Sequence, residues 1–459
     1  MISVRRRGSA RLTAAVLASG LAAAGAIATA SPAVADDAVP HKGGATATLA
    51  GLKTYDQVVI HHQGRPDQKL SGGLFELTVD GGGSLLTYCI DIKNPTQQRA
   101  KYNERSWAET SLHDNNDAGK INWILQNSYP QVNDLAALAQ KAGSGALTEK
   151  TAAAGTQVAI WRFSDHADVE AVDPAAEKLA DYLEQSAENL DEPGASLHLD
   201  PPAVSGKAGD LLGPIKVATN AGSVTVAPAA DAADAGIKIV DADGKPVTNA
   251  SNGAELFFQV PAGAEPGSAS AVVKASTKVE IGRAFASDSK SQTMILAGSS
   301  ESTVSATATA NWAKQGPIPA LSAEENCAKG GVDISAANKG DEPFTFELAG
   351  EKHTVEAGKS ETITVPVEED QAYEFTIKGP NGFEKTFSGV LDCETAGVDT
   401  DEPSSEPSPA SVGGSSGDLA ETGSSDATPV IAGVAIALVV LGGGTVFFLR
   451  RKKAVTAGE

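Results

Sequence analysis

Two side chains need a chemical explanation, a carboxamide on an apolar face and a thiol without an evident partner. Gln157 falls in the run Leu147–Phe163, where Thr148 is a plausible N-cap and the alanines that follow favour helix. At helical spacing it shares a face with Ala153, Ala154, Ile160 and Trp161. A carboxamide there either bonds to a neighbouring loop or loses hydration at a cost of about 1–3 kcal/mol, unless it has reacted and is no longer an amide. Cys89 is the second such residue. The chain has three cysteines; Cys327 and Cys393 bracket one β-rich module and are expected to join its ends. That leaves Cys89 unpaired, although a bridge from Cys89 to either of the others would leave a different odd thiol and cross modules. A thiol and a carboxamide brought together can exchange ammonia for a thioester, provided a fold holds them close and stabilises the oxyanion. The thiol leaving group, pKa about 8.5, departs far more readily than an amide nitrogen, and apolar cover from Ile160 and Trp161 would slow hydrolysis. An attacking lysine amine, pKa near 10.4, must first lose a proton. Asp91, Asp165 and His166 are candidate bases that nothing in the sequence sets apart from solvated surface residues.

The elements that must position this pair are mixed α+β. Leu74–Val79 alternates apolar and polar, Gly81-Gly82-Gly83 turns the chain, and Leu85–Ile92 follows as a strand. In it Leu86, Tyr88, Ile90 and Ile92 point one way and Leu85, Thr87, Cys89 and Asp91 the other. Cys89 is therefore expected on the more polar side, at a seam between sheet and capping helix. Helices are expected near Lys120–Asn127 and Asp134–Lys141. A last one begins at Asp173-Pro174 with Leu179, Tyr182, Leu183 and Leu190 as its apolar stripe.

The segment Thr156-Gln157-Val158-Ala159-Ile160-Trp161 resembles the Thr-Gln-x-Ala signature of thioester domains in surface adhesins of Gram-positive bacteria. Tyr88-Cys89-Ile90-Asp91 is similar to that family's cysteine motif. The resemblance covers residues 45–200 and implies an intramolecular thioester between Cys89 and Gln157, with Thr156, Ala159 and Trp161 as motif neighbours. It implies one-shot capture: an amine on a partner takes the acyl group, and Cys89 is released. That is acyl transfer without turnover, so no catalytic residue and no enzyme is expected. The alternatives are a structural surface protein whose Cys89 and Gln157 stay unreacted, or a thioester that links to neighbouring wall polymers. His-Glu-x-x-His and Gly-rich phosphate motifs are absent from the sequence, and His61-His62 has no partner motif, so neither cofactor nor metal is expected.

The ends of the chain indicate export and anchoring. Four arginines precede the apolar run Leu12–Ala28, and Ala33-Val34-Ala35 offers a cleavage site, so residues 1–35 read as a signal peptide. Residues 203–312 carry short alternating runs read as one β-sandwich, with a turn at Asp241-Ala242-Asp243-Gly244. Residues 320–395 read as a second, smaller β-sandwich of immunoglobulin type, which a Cys327–Cys393 bridge could stabilise by about 2–4 kcal/mol. Residues 396–418 form a Ser/Pro/Gly linker. Leu419-Ala420-Glu421-Thr422-Gly423 resembles a sortase signal in the Leu-Ala-x-Thr-Gly form seen in actinobacteria. Residues 429–449 are long and apolar enough to span a bilayer, and 450–459 begin with four basic residues expected to stay cytoplasmic. The resemblance implies cleavage by sortase after Thr422 and attachment of Thr422 to peptidoglycan, placing the thioester domain farthest from the wall. The chain carries a formal charge of −22; without the four signal-peptide arginines, and without the four cations and two acids beyond Thr422, the retained body stands at −28. Such a body does not bind nucleic acid through a basic face.

Overall fold

The computed structural model describes residues 43–380 and 383–394. The signal peptide, linker, sortase-like motif, apolar run and basic tail lie outside the described residues. No helix among the described residues is long and apolar enough to cross a membrane.

The chain opens with β1 (Thr46–Ile60), β2 (Gln68–Val79), β3 (Ser84–Cys89) and β4 (Lys101–Arg105). β1 pairs along its length with β2, and β2 with β3, all antiparallel. The expected division into modules in series fails at the next neighbour. β3 pairs with Met294–Ser299, that strand with Ala284–Ser287, and the latter with β4, which returns to β1. The six strands close into a ring, and a hairpin from the region assigned to the second module supplies two of them. Closure leaves β3 and β4 no unpaired edge along the pairing, which is why so distant a segment is drawn in. At the hairpin's root Arg283 donates to Glu104, a buried pair 3.0 Å apart, and also to Glu192 at 2.6 Å.

The expected sidedness of β3 is corrected as well. Leu85, Thr87 and Cys89 are all buried, whereas Leu86 is only half-buried. The polar character of Thr87 and Cys89 marks no solvent face, because both sides of the strand are covered. The Thr87 hydroxyl meets the Met294 sulfur at 3.1 Å, and the Tyr88 hydroxyl donates to the Tyr129 carbonyl at 2.7 Å.

Helices α1 (Ala118–Asn127), α2 (Leu135–Lys141), α3 (Glu149–Ser164) and α4 (Pro174–Ser186) cover the ring, with a short strand β5 (Val169–Ala171) added to β1. Thr148 caps α3 by accepting from the Thr151 N–H, and Asp173 caps α4 by accepting from Ala175 and Ala176. α3 is buried on nearly every side, and its small residues allow this. A Cβ on Gly155 would lie 2.4 Å from the Ala176 carbonyl oxygen, so α4 packs directly on the α3 backbone. Leu190, expected in the stripe of α4, lies past its end.

The second module is a two-sheet sandwich. Its first sheet holds Leu197–Asp200, Leu211–Thr219, Glu255–Gln259 and Lys238–Val240. The second holds Ala203–Lys207, Ser302–Ala313, Gly267–Thr277, Val224–Pro228 and Asn249–Ala250. The turn at Asp241 is present, its carboxylate accepting from the Asp243 and Lys245 N–H groups. The third module stacks Pro319–Asn326, Gly331–Asn338 and Ser360–Pro366 against a four-stranded sheet, around Ile334, Phe344, Phe346 and Ile377. Cys327 and Cys393 are disulfide-bonded, leaving Cys89 as the free thiol. This module folds back onto the first. Arg105 pairs with Glu325 at 3.2 Å, Asn94 donates to Asp370 at 3.3 Å, and Thr293 donates to Asp392 at 2.6 Å.

Candidate functional site

Cys89 ends β3 and Gln157 sits on the face of α3 turned toward it, both fully buried. The Cys89 N–H donates to Gln157 Oε1 at 3.0 Å, and Gln157 Nε2 donates to the Cys89 carbonyl at 2.8 Å. The carboxamide is thus held at both ends by the backbone of the cysteine, and its hydration loss is met. The thiol and the carboxamide stand as separate groups, the reactants of the implied crosslink. The Cys89 sulfur is bracketed by Asp91, whose N–H lies 3.3 Å and whose carbonyl lies 3.1 Å away.

The motif neighbours support this arrangement rather than joining it. Thr156 turns away from Cys89: its hydroxyl lies 2.6 Å from Ser128 Oγ and donates to the Ala152 carbonyl at 2.7 Å. Ala159 is fully buried, and Trp161 is buried beside Gln157. Of the candidate bases, His166 is exposed, but Asp91 and Asp165 are not the surface carboxylates that the sequence suggested. Asp91 is fully buried, accepting from Asn94 Nδ2 at 2.6 Å. Asp165 is half-buried and accepts from the Ile92 N–H at 2.8 Å and the Ser164 hydroxyl at 2.6 Å.

Burial dominates the electrostatics. It pushes the Cys89 thiol well above its ordinary value, and the nearby Asp165 and Asp91 add to this. Asp91 is itself raised by burial and then by Asp392 and Asp165. Asp165 is pushed up to about 6, chiefly by burial, against the opposing hydrogen bonds from Ser164 and Ile92. The sulfur is therefore kept protonated at rest.

Sequence reasoning missed the contributions of distant segments. Thr293 and Met294 flank Cys89 through strand pairing, and Asp392 of the third module reaches Thr293. Glu369, Asp370 and Asp392 gather closely enough to suggest a cation site. Each is already engaged, however: Glu369 by the Cys393 and Glu394 N–H groups, Asp370 by Lys290 and Asn94, and Asp392 by Thr293.

Residues 86–189, which contain both Cys89 and Gln157, match the family model described as Thioester domain. Residues 319–390 match the model described as Bacterial phospholipase C, C-terminal domain. The matched thioester-domain segment lies within the first folded region. No curated protein matches the chain in sequence. Among solved structures, the chain is similar to the Bacillus anthracis TIE protein at 16% identity, over 76% of this chain and 81% of that one, with a TM-score of 0.27. It is also similar to the thioester domain of the Enterococcus faecium TIE86 protein at 17% identity, over 59% of this chain and 97% of that one, with a TM-score of 0.26. At these scores neither likeness bears on fold or function.

Proposed function

We propose that this protein is a cell-wall-anchored adhesin that captures an amine-bearing partner covalently, through a thioester between Cys89 and Gln157. The observation that carries the reading is the reciprocal pair of hydrogen bonds between the Cys89 backbone and the Gln157 carboxamide, buried within a matched thioester domain. In formation, Cys89 Sγ bonds to Gln157 Cδ, the Cδ–Nε2 bond breaks, and the thiol proton leaves with the nitrogen as ammonia. The Cys89 N–H, already on Oε1, is the donor that would hold the oxyanion. In capture, a neutral amine bonds to Cδ, the Cδ–Sγ bond breaks, and a proton from the amine ends on sulfur. The acyl group is consumed once, so the protein is not read as an enzyme.

Anchoring belongs to the same proposal. It is supported by the order of the Leu419–Gly423 motif, apolar run and basic tail, with sortase as processing partner and peptidoglycan as the attachment at Thr422. The test is intact mass of the exported body, residues 36–422. The mass expected is one ammonia, and the two hydrogens of the disulfide, below the sequence value. Methylamine adds to the body as an adduct, leaving it one methylene heavier than the disulfide-bonded chain, and Cys89→Ala abolishes both effects. A folded body that keeps its ammonia and carries a thiol with no acyl history overturns the reading.

A further inference from the structure

Trp161 lies one helical turn beyond Gln157 on α3, so the two side chains leave the same face. They stand side by side over Gly72, where a Cβ would sit 3.3 Å from Trp161 Cζ3 and 3.4 Å from Gln157 Cγ. The indole is 2% exposed, and its Nε1–H has no hydrogen-bond acceptor among the described residues. An indole nitrogen can only donate, and buried ones usually find a partner. Beside Gln157 the Trp161 indole is also within reach of the Cys89 thiol, whose thiolate form a bond from the indole favours. A protonated thiol is a weak acceptor and a thiolate a strong one. A buried donor left unmet at rest beside the Cys89–Gln157 pair is therefore arranged for a charge that exists only during reaction.

We propose that Trp161 Nε1–H is a catalytic donor that holds the negative charge gathering on Cys89 Sγ when an amine opens the thioester. The proposal rests on the Cys89–Gln157 thioester reading. As the amine nitrogen bonds to Gln157 Cδ, the Cδ–Sγ electron pair moves onto sulfur, where the indole N–H stabilises it. The proton lost by the amine then ends on that sulfur, and the indole keeps its own proton throughout.

The experiment uses the exported body with methylamine as probe and follows release of the Cys89 thiol. Site-specific replacement of Trp161 by benzothienylalanine keeps the bicyclic shape and removes the N–H. It is expected to slow opening about 10–100-fold, the range for one hydrogen bond to a charged group. Trp161→Phe is expected to slow it at least as much. In wild type, the Trp161 indole N–H resonance is expected to move when methylamine cleaves the bond. A folded benzothienylalanine variant that opens within about twofold of wild type overturns the proposal, because shape alone then suffices. Should that variant not fold, 5-fluorotryptophan at the same position, a stronger donor, is expected to accelerate opening, and an unchanged rate overturns the proposal. A wild-type body that never loses ammonia would instead overturn the thioester reading.

Discussion

The Cys89 N–H and Gln157 Oε1 are 3.0 Å apart, while the Gln157 Nε2 and the Cys89 carbonyl are 2.8 Å apart. In the proposed reaction the backbone of the attacking residue therefore grips both the oxygen that gathers charge and the nitrogen that leaves. Replacing the amide by a carboxylate breaks half of this grip. Gln157→Glu is expected to place an unpaired acid against the Cys89 carbonyl, to form no thioester, and to lose about 1–3 kcal/mol of stability. Urea unfolding and intact mass would show both effects; a variant as stable as wild type would contradict this account of the site.

Gly155 is fixed by the approach of α4, since an added Cβ would lie 2.4 Å from the Ala176 carbonyl oxygen. Gly155→Ala improves local helix propensity, yet it is expected to destabilise the domain by about 1–3 kcal/mol through the forced shift of α4. A rise in the urea midpoint would show that the helices separate without cost.

The ring of strands needs Ala284–Ser287 and Met294–Ser299. A fragment ending at residue 200 is expected to lack cooperative unfolding and to keep its ammonia. In the exported body, Arg283→Met strands Glu104 without its buried partner and is expected to cost about 3–5 kcal/mol. Calorimetry of both proteins checks this, and a sharply melting short fragment would refute the shared-strand arrangement.

Asp165 supplies a pH dependence whose sign is fixed by burial. Its carboxyl is raised to about 6 in the folded protein from an ordinary value near 3.8. Folding therefore favours the protonated form; this contribution to stability is fully present below about pH 4 and is lost as pH rises through about 6. Asp165→Asn is expected to flatten the stability profile between pH 4 and 7. A variant whose profile keeps the wild-type slope in that window would assign the titration to another group.

Much of the site was legible because its signals are local. Thr148 and Asp173 announce their helices by capping chemistry, and the Gln157 carboxamide stands out on an apolar face. What was not legible depends on pairing at long range. The run Met294–Ala297 is buried throughout, so alternation marks no face, and its partner Cys89 lies in a distant segment. Asp91 and Asp165 read as ordinary surface acids because what covers them comes from the whole fold. The third module's return onto the first is invisible for the same reason: Asp392 and Thr293 meet through tertiary structure alone.

The shared ring also imposes a schedule. Thr87 and Met294, side by side in the finished sheet, are 207 positions apart along the chain. A polypeptide threaded outward from its N-terminus delivers Cys89 and Gln157 long before the hairpin that completes their enclosure. On the proposed reading of an exported thioester protein, the bond is armed only after most of the body has left the cytoplasm, away from the amines inside the cell that would spend it early.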